Sequence, residues 1–97
     1  ERKRRPELYL GTPAKRDIPA AQVFADVLRK EGRRVFVNLR DRALGDQIQD
    51  AVKRGIPFFA AYGANEVTSG SLRLKTLATG EEATLSASLL SARLARG

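Results

Sequence analysis

Two arginines, Arg40 and Arg42, flank the expected start of a helix, where unpaired backbone N–H groups already favour anions. Phosphate contact is the chemistry such a pair offers; a solvated helix end is the alternative. Arg73 and Lys75 form a second basic pair. Two residues apart on one strand, they share a face that could reach one groove of an RNA or simply meet solvent. Asp41 and Asp46 could be set up as paired carboxylates, yet five residues apart they fall on different helical faces and Asp46 points to solvent. No catalytic role is assigned to them, and no metal site.

The chain contains neither cysteine nor histidine. Zinc sites built on thiolate or imidazole, thiol nucleophiles, disulfides and histidine acid–base chemistry are therefore excluded together. Gly11-Thr12-Pro13-Ala14-Lys15 lacks the glycine-rich turn followed by Lys-Ser or Lys-Thr that cradles phosphates, so no nucleotide cofactor is expected. The net charge of +7 points instead to polyanions. It is unevenly placed: without residues 1–5, 14 basic groups face 10 acidic ones, a net +4. We take residues 1–6, with Arg2, Lys3, Arg4 and Arg5, as a linker or cloning remnant, with a phosphate-binding arm as the other reading. Residues 7–97 are taken as one domain.

At 97 residues, 42% hydrophobic and 30% charged, the chain suits a single folded domain and is too short for an ATP-using catalytic domain as well. No apolar run approaches the roughly 20 residues that span a bilayer, and ERKRRP is not followed by a signal-peptide apolar stretch. No membrane partner and a cytoplasmic location are expected.

The elements that must position the basic pairs follow from changes of hydrophobic period. Leu8-Tyr9-Leu10 within Glu7–Gly11 predicts a strand, ended by Gly-Thr-Pro. From Asp17, a candidate cap, Ala20, Val23, Phe24, Val27 and Leu28 recur at helical spacing; Pro19 is tolerated early and Gly32 ends the helix. Val35-Phe36-Val37, continuing to Leu39, fits a strand covered on both faces. Asp41 then caps a helix with Leu44, Ile48, Ala51 and Val52 on one face and Gly55 as its stop. Ile56, Phe58, Phe59, Ala60 and Ala61 give a third buried strand. Residues Ala64 to Gly70 are predicted as a polar loop.

Leu72 and Leu74 alternate with Arg73 and Lys75, so this fourth strand is apolar on one face and basic on the other. Ala78-Thr79-Gly80 turns into a return strand, Glu82 to Leu85, and Ser86 or Ser88 caps a last short helix with Leu89, Leu90 and Leu94. The order β-α-β-α-β-β-β-α predicts an α/β fold: a three-layer α/β/α domain with about three helices and a mixed five-stranded sheet, three parallel strands plus a C-terminal antiparallel hairpin. Ligands of such sheets gather beyond the carboxyl ends of the parallel strands, in the loops after Leu10, Leu39 and Tyr62. Tyr9 and Tyr62 are taken as core or strand-end residues, not as platforms for bases.

From Arg34 to Leu85 the chain, RVFVNLRDRALGDQIQDAVKRGIPFFAAYGANEVTSGSLRLKTLATGEEATL, resembles the C-terminal anticodon-binding domain shared by the class II histidyl-, prolyl-, threonyl- and glycyl-tRNA synthetases. SGSLRLKTLATGEEATL is most similar to the histidyl branch, with its Ser-Gly step, Leu-Lys strand and Thr-Gly turn. The resemblance implies tRNA as partner, a histidine acceptor first, and contacts to the anticodon loop from Arg40, Asp41 and Arg42, then Gln47, Glu66, and Arg73 with Lys75. Unstacked bases expose edges that a carboxylate, amide or guanidinium can read, and basic groups hold phosphates. Glu66 would accept from a base amino group.

The resemblance further implies a parent ligase that uses ATP and Mg in its catalytic domain and dimerises through it, with no cofactor in this domain. The chain departs from the histidyl pattern in two places. The usual Arg-x-Leu-Lys-Lys-Gln has become Arg42-Ala43-Leu44-Gly45-Asp46-Gln47, without either lysine, and Gly-Glu-Asp-Glu has become Gly63-Ala64-Asn65-Glu66. Two other readings stay open: a synthetase-paralogue domain acting as a regulatory or protein-interaction module, which the lost lysines suit, and a small-ligand binder.

Overall fold

The structure is a computed structural model that describes residues 6–95. Strand β1, Leu8–Gly11, lies at the centre because all four of its residues are buried, its side chains alternating between two cores. It pairs in parallel with β2, Val35–Val37, and with β3, Phe58–Ala61. On the far side of β3, the antiparallel strands β4, Ser71–Thr76, and β5, Glu82–Ser86, complete the order β2-β1-β3-β4-β5. The hairpin turn closes with Gly80 N–H donating to Thr76 O at 2.8 Å.

Helix α1, Ile18–Lys30, and helix α4, Leu90–Ala95, cover one face, packing Ala21, Ala25, Leu28, Leu90 and Leu94 on Leu8, Leu10, Val35, Val37, Phe58, Ala60, Leu72 and Leu74. Helix α2, Leu44–Arg54, covers the other with Leu44, Ile48 and Ala51 over Tyr9, Phe36 and Phe59. The expected three-layer arrangement and mixed five-stranded sheet are present. After α2 the chain reverses at Gly55, whose φ of +72° places it in the left-handed region that glycine adopts at least cost, and Ile56 N–H closes back on Ala51 O at 3.1 Å.

Several local expectations are corrected. The buried stripe of α1 is Ala21, Phe24, Ala25 and Leu28, while Val23 and Val27 are 66% and 47% exposed. Two overlapping stripes satisfy the helical period, and the one with two alanines lets the helix lie close on the sheet. Asp17 is buried and stands at the cap position of α1 as expected, but its side chain makes no capping bond there; its Oδ2 accepts from Ala14 N–H at 3.1 Å, closing a 3-10 turn over Lys15–Asp17. Strand β2 stops at Val37, and Leu39 is 60% exposed.

Asp41 does not cap α2, which begins three residues later with Ala43 at the cap position. Val52 lies outside the core, and the fully buried Gln47 occupies the other edge of the helix stripe. Residues Ala64–Ser69, expected as loop, form α3, a fourth helix. Ser86 is the cap before the last helix: its Oγ accepts from Ser88 N–H at 3.3 Å, and Leu89 stays exposed while Leu90 and Leu94 are buried. No helix of the described residues is long and apolar enough to cross a membrane. The basic run at Arg2–Arg5 lies outside the described residues.

Candidate functional site

Helix α2 covers β2, β1 and β3 but leaves the β4–β5 hairpin open on that face, and α3 closes one side. The result is a cleft of about 460 Å³ with an apolar floor of Leu44 and Ile48 from α2 and Phe59 and Ala61 from β3. Its rim carries Glu66 and Ser69 of α3, Ser71, Arg73 and Lys75 of β4, and Glu82 and Thr84 of β5. Strand register explains why these side chains meet. Lys75 stands between Phe59 and Glu82 on neighbouring strands, and Arg73 stands opposite Thr84. Alternation then sends Leu72 and Leu74 to the core on the opposite face, as expected.

Glu82 is shared by both cations: Oε1 lies 3.4 Å from Arg73 Nη1 and Oε2 lies 3.9 Å from Lys75 Nζ. These side chains are exposed to different degrees, 70% for Arg73 and 31% for Lys75, and pairs this accessible contribute about 0–1 kcal/mol. A ligand can therefore exchange them cheaply. With Glu66 and Glu82 against Arg73 and Lys75, the rim is balanced in charge. Glu66 Oε1 accepts from Gly63 N–H at 2.8 Å, which fixes the start of α3. Just before it, Tyr62 stacks on Phe24 with ring centres 4.4 Å apart, and burial together with nearby Glu66 pushes its phenol pKa up.

Beyond the ends of β1 and β2, buried amides organise the loops. Gln47 is 0% exposed; its Oε1 accepts from Thr12 N–H at 2.9 Å, and its Nε2 donates to Thr12 O and to Arg42 O, both at 2.8 Å. The side chain thus pairs with Thr12 as a neighbouring peptide would. Asn38 Nδ2 donates to Thr12 Oγ1 at 2.9 Å and to Arg40 O at 2.6 Å. Gly11 permits this packing. A Cβ there would sit 2.5 Å from Phe59 Cζ and 2.8 Å from Gln47 Oε1.

Arg42 is turned toward α2, with Nη2 3.5 Å from Asp50 Oδ2. The same oxygen takes Arg54 Nε at 3.0 Å and accepts from Tyr9 O–H at 3.1 Å. Burial pushes against the Asp50 charge, but hydrogen bonds from Arg54 and Tyr9 and the charges of both arginines hold its carboxyl below the ordinary range. Burial first, then the hydrogen bond and charge of Asp50, push Tyr9 up to about 12. Tyr9 itself is wholly buried between Phe36 and Phe59, as a core residue.

Of the residues singled out in the sequence, the structure brings Glu66, Arg73 and Lys75 together in the cleft. Arg40 and Asp41 stand exposed in the loop before α2, whose first residue, Leu44, belongs to the cleft floor. Arg42 is partly withdrawn into an ion pair, and Gln47 faces the interior as a loop brace. Glu82, Thr12, Asn38 and Asp50 were not anticipated. Gln47 was within reach of the helical period, since Leu44, Gln47, Ile48 and Ala51 follow i, i+3, i+4, i+7; the pairings of Asp50 with Tyr9 and of Asn38 with Thr12 join residues 41 and 26 apart and have no local signature.

Residues 8–96 match the family model described as anticodon binding domain. The chain is 34% identical over 80 residues to the histidine–tRNA ligase of Synechocystis, covering 82% of this chain and 18% of that protein. It is 41% identical over 73 residues to the threonine–tRNA ligase of Synechococcus elongatus, covering 75% of this chain and 12% of that protein. Among solved structures, the histidyl-tRNA synthetase of Nostoc superposes with a TM-score of 0.88 at 28% identity over 96% of this chain and 22% of that one. The chain spans about a fifth or less of the length of the curated relatives it matches.

Proposed function

The chain belongs to the family of anticodon-binding domains, and on that premise we propose that its cleft receives unpaired bases of a tRNA anticodon loop as part of a histidine-specific synthetase. The observation that carries this reading is the cleft's composition: an apolar floor of Leu44, Ile48 and Phe59 under a rim with two carboxylates and two cations. A phosphate would meet Glu66 and Glu82 as well as Arg73 and Lys75. A neutral base, apolar on its faces and carrying both donors and acceptors on its edge, suits such walls better.

Arg40 and Asp41 extend the surface along the loop before α2, where Arg40 makes no ion pair among the described residues and is available to a phosphate. Glu66 accepts from a base amino group, Arg73 and Lys75 donate, and Gln47 acts from beneath by holding the loops. Histidine is preferred to threonine because the Ser-Gly step, Leu-Lys strand and Thr-Gly turn follow the histidyl pattern and because a histidyl-tRNA synthetase superposes at 28% identity, against 13% for a threonyl-tRNA synthetase RNA-binding domain. The parent then ligates histidine to tRNA in the cytoplasm, with ATP and Mg in a dimeric catalytic domain elsewhere and no cofactor here.

The test is a titration of the chain with the anticodon stem-loop of a histidine-accepting tRNA and with the same stem-loop carrying substituted anticodon bases. Preference for the cognate loop, with affinity that falls as salt rises, is expected; Arg40→Ala should flatten the salt dependence by about 0.7 in log–log slope, one phosphate's worth on a single strand. Equal binding of cognate and substituted loops would contradict the reading and favour a protein-interaction role, which the loss of both family lysines from α2 would then explain.

A further inference from the structure

We propose that Asn38 and Gln47 are positioning residues that pre-set the exposed arch Leu39-Arg40-Asp41 for RNA, an inference that rests on the anticodon-binding reading above. The arch is held at its middle residue and just beyond its end. Asn38 Nδ2 holds Arg40 O at 2.6 Å, Gln47 Nε2 holds Arg42 O at 2.8 Å, and both amides are anchored to Thr12 at the end of the central strand. Around these fastenings Leu39, Arg40 and Asp41 are all exposed and present an apolar, a cationic and an anionic side chain in a row.

Packing does not account for Asn38. It is 1% exposed, yet its Oδ1 has no partner among the described residues, and an orphaned buried acceptor costs stability. The amide cannot be turned over to relieve this, because Arg40 O only accepts and must face the NH₂ group. What the amide supplies is control of the Arg40 backbone. A loop held in its bound shape before association loses less conformational freedom when RNA arrives, so the cost of ordering Arg40 falls on folding and not on binding.

The experiment is a double-mutant cycle on the whole chain, read by stem-loop affinity and its salt slope. Asn38→Asp keeps the shape but replaces the donor to Arg40 O with a carboxylate oxygen. It should weaken cognate binding by about tenfold, and adding Arg40→Ala should weaken it by less than about twofold more, because the arginine would already be misplaced. Thr12→Val removes only the Oγ1 anchor of Asn38, leaves the backbone atoms that Gln47 uses, and should give a smaller loss coupled to Arg40 in the same way; it carries the test where Asn38→Asp does not fold. Additive losses in these cycles, with an unchanged Arg40 contribution to the salt slope, would overturn the inference while leaving anticodon binding intact. Failure of the unsubstituted chain to distinguish stem-loops would instead reject the reading beneath it.

Discussion

Gly11 is where the residue scale decides most, because the end of β1 must pass under both Phe59 and the Gln47 amide. Gly11→Ala places a methyl inside their contact distances and should cost about 1–3 kcal/mol, seen as a lower urea midpoint with little change in slope. Tyr9 and Asp50 set the pH limits. Tyr9, at about 12 when folded against 10 in the unfolded chain, favours folding fully below pH 10, and that contribution is lost as pH rises from 10 to 12. Asp50 has the opposite sign: its depressed folded value favours folding above the unfolded carboxylate range near 4, a benefit lost as pH falls through the folded value. A melting-temperature profile should therefore fall above pH 10, and Tyr9→Phe should flatten that alkaline fall and also shrink the acid limb, because it removes the Tyr9 hydrogen bond to Asp50 and leaves only Arg54 and Arg42 to hold the carboxyl low.

At the scale of elements, α1 gives a direct test of which stripe is buried. Val23→Lys should change stability by no more than about 0.5 kcal/mol, whereas Ala25→Leu, forced between helix and sheet, should cost about 1–3 kcal/mol in denaturant titration. The same helix shows what is legible in a sequence. Period located all five strands and three of the four α-helices of the described residues, and Leu72, Arg73, Leu74 and Lys75 announced a two-faced strand. It could not choose between two overlapping stripes on α1, because that depends on how closely the helix approaches β1 and β2. Nor could it find α3: ANEVTS has little helical periodicity, and its start is secured by Glu66 reaching back to the Gly63 amide. Of the site, Arg73, Lys75 and Glu66 were legible through strand alternation or family pattern, but Glu82 became their neighbour only through the register of the hairpin.

Across the whole molecule the division of labour follows the sheet. The α1/α4 face is closed by the larger core, and the α2 face is closed only over β2, β1 and β3, so the uncovered part of the sheet becomes the cleft. Under the proposed function, the excess of basic residues serves long-range attraction to RNA and the balanced rim of the cleft serves discrimination among bases. The most direct test is an amide chemical-shift titration of the chain with the histidine-type anticodon stem-loop. Perturbations should gather at residues 39–42, 63–75 and 82–84 and leave α1 from Val23 to Lys30 unmoved. Perturbations centred on α1 and α4, with the cleft residues unmoved, would contradict the account.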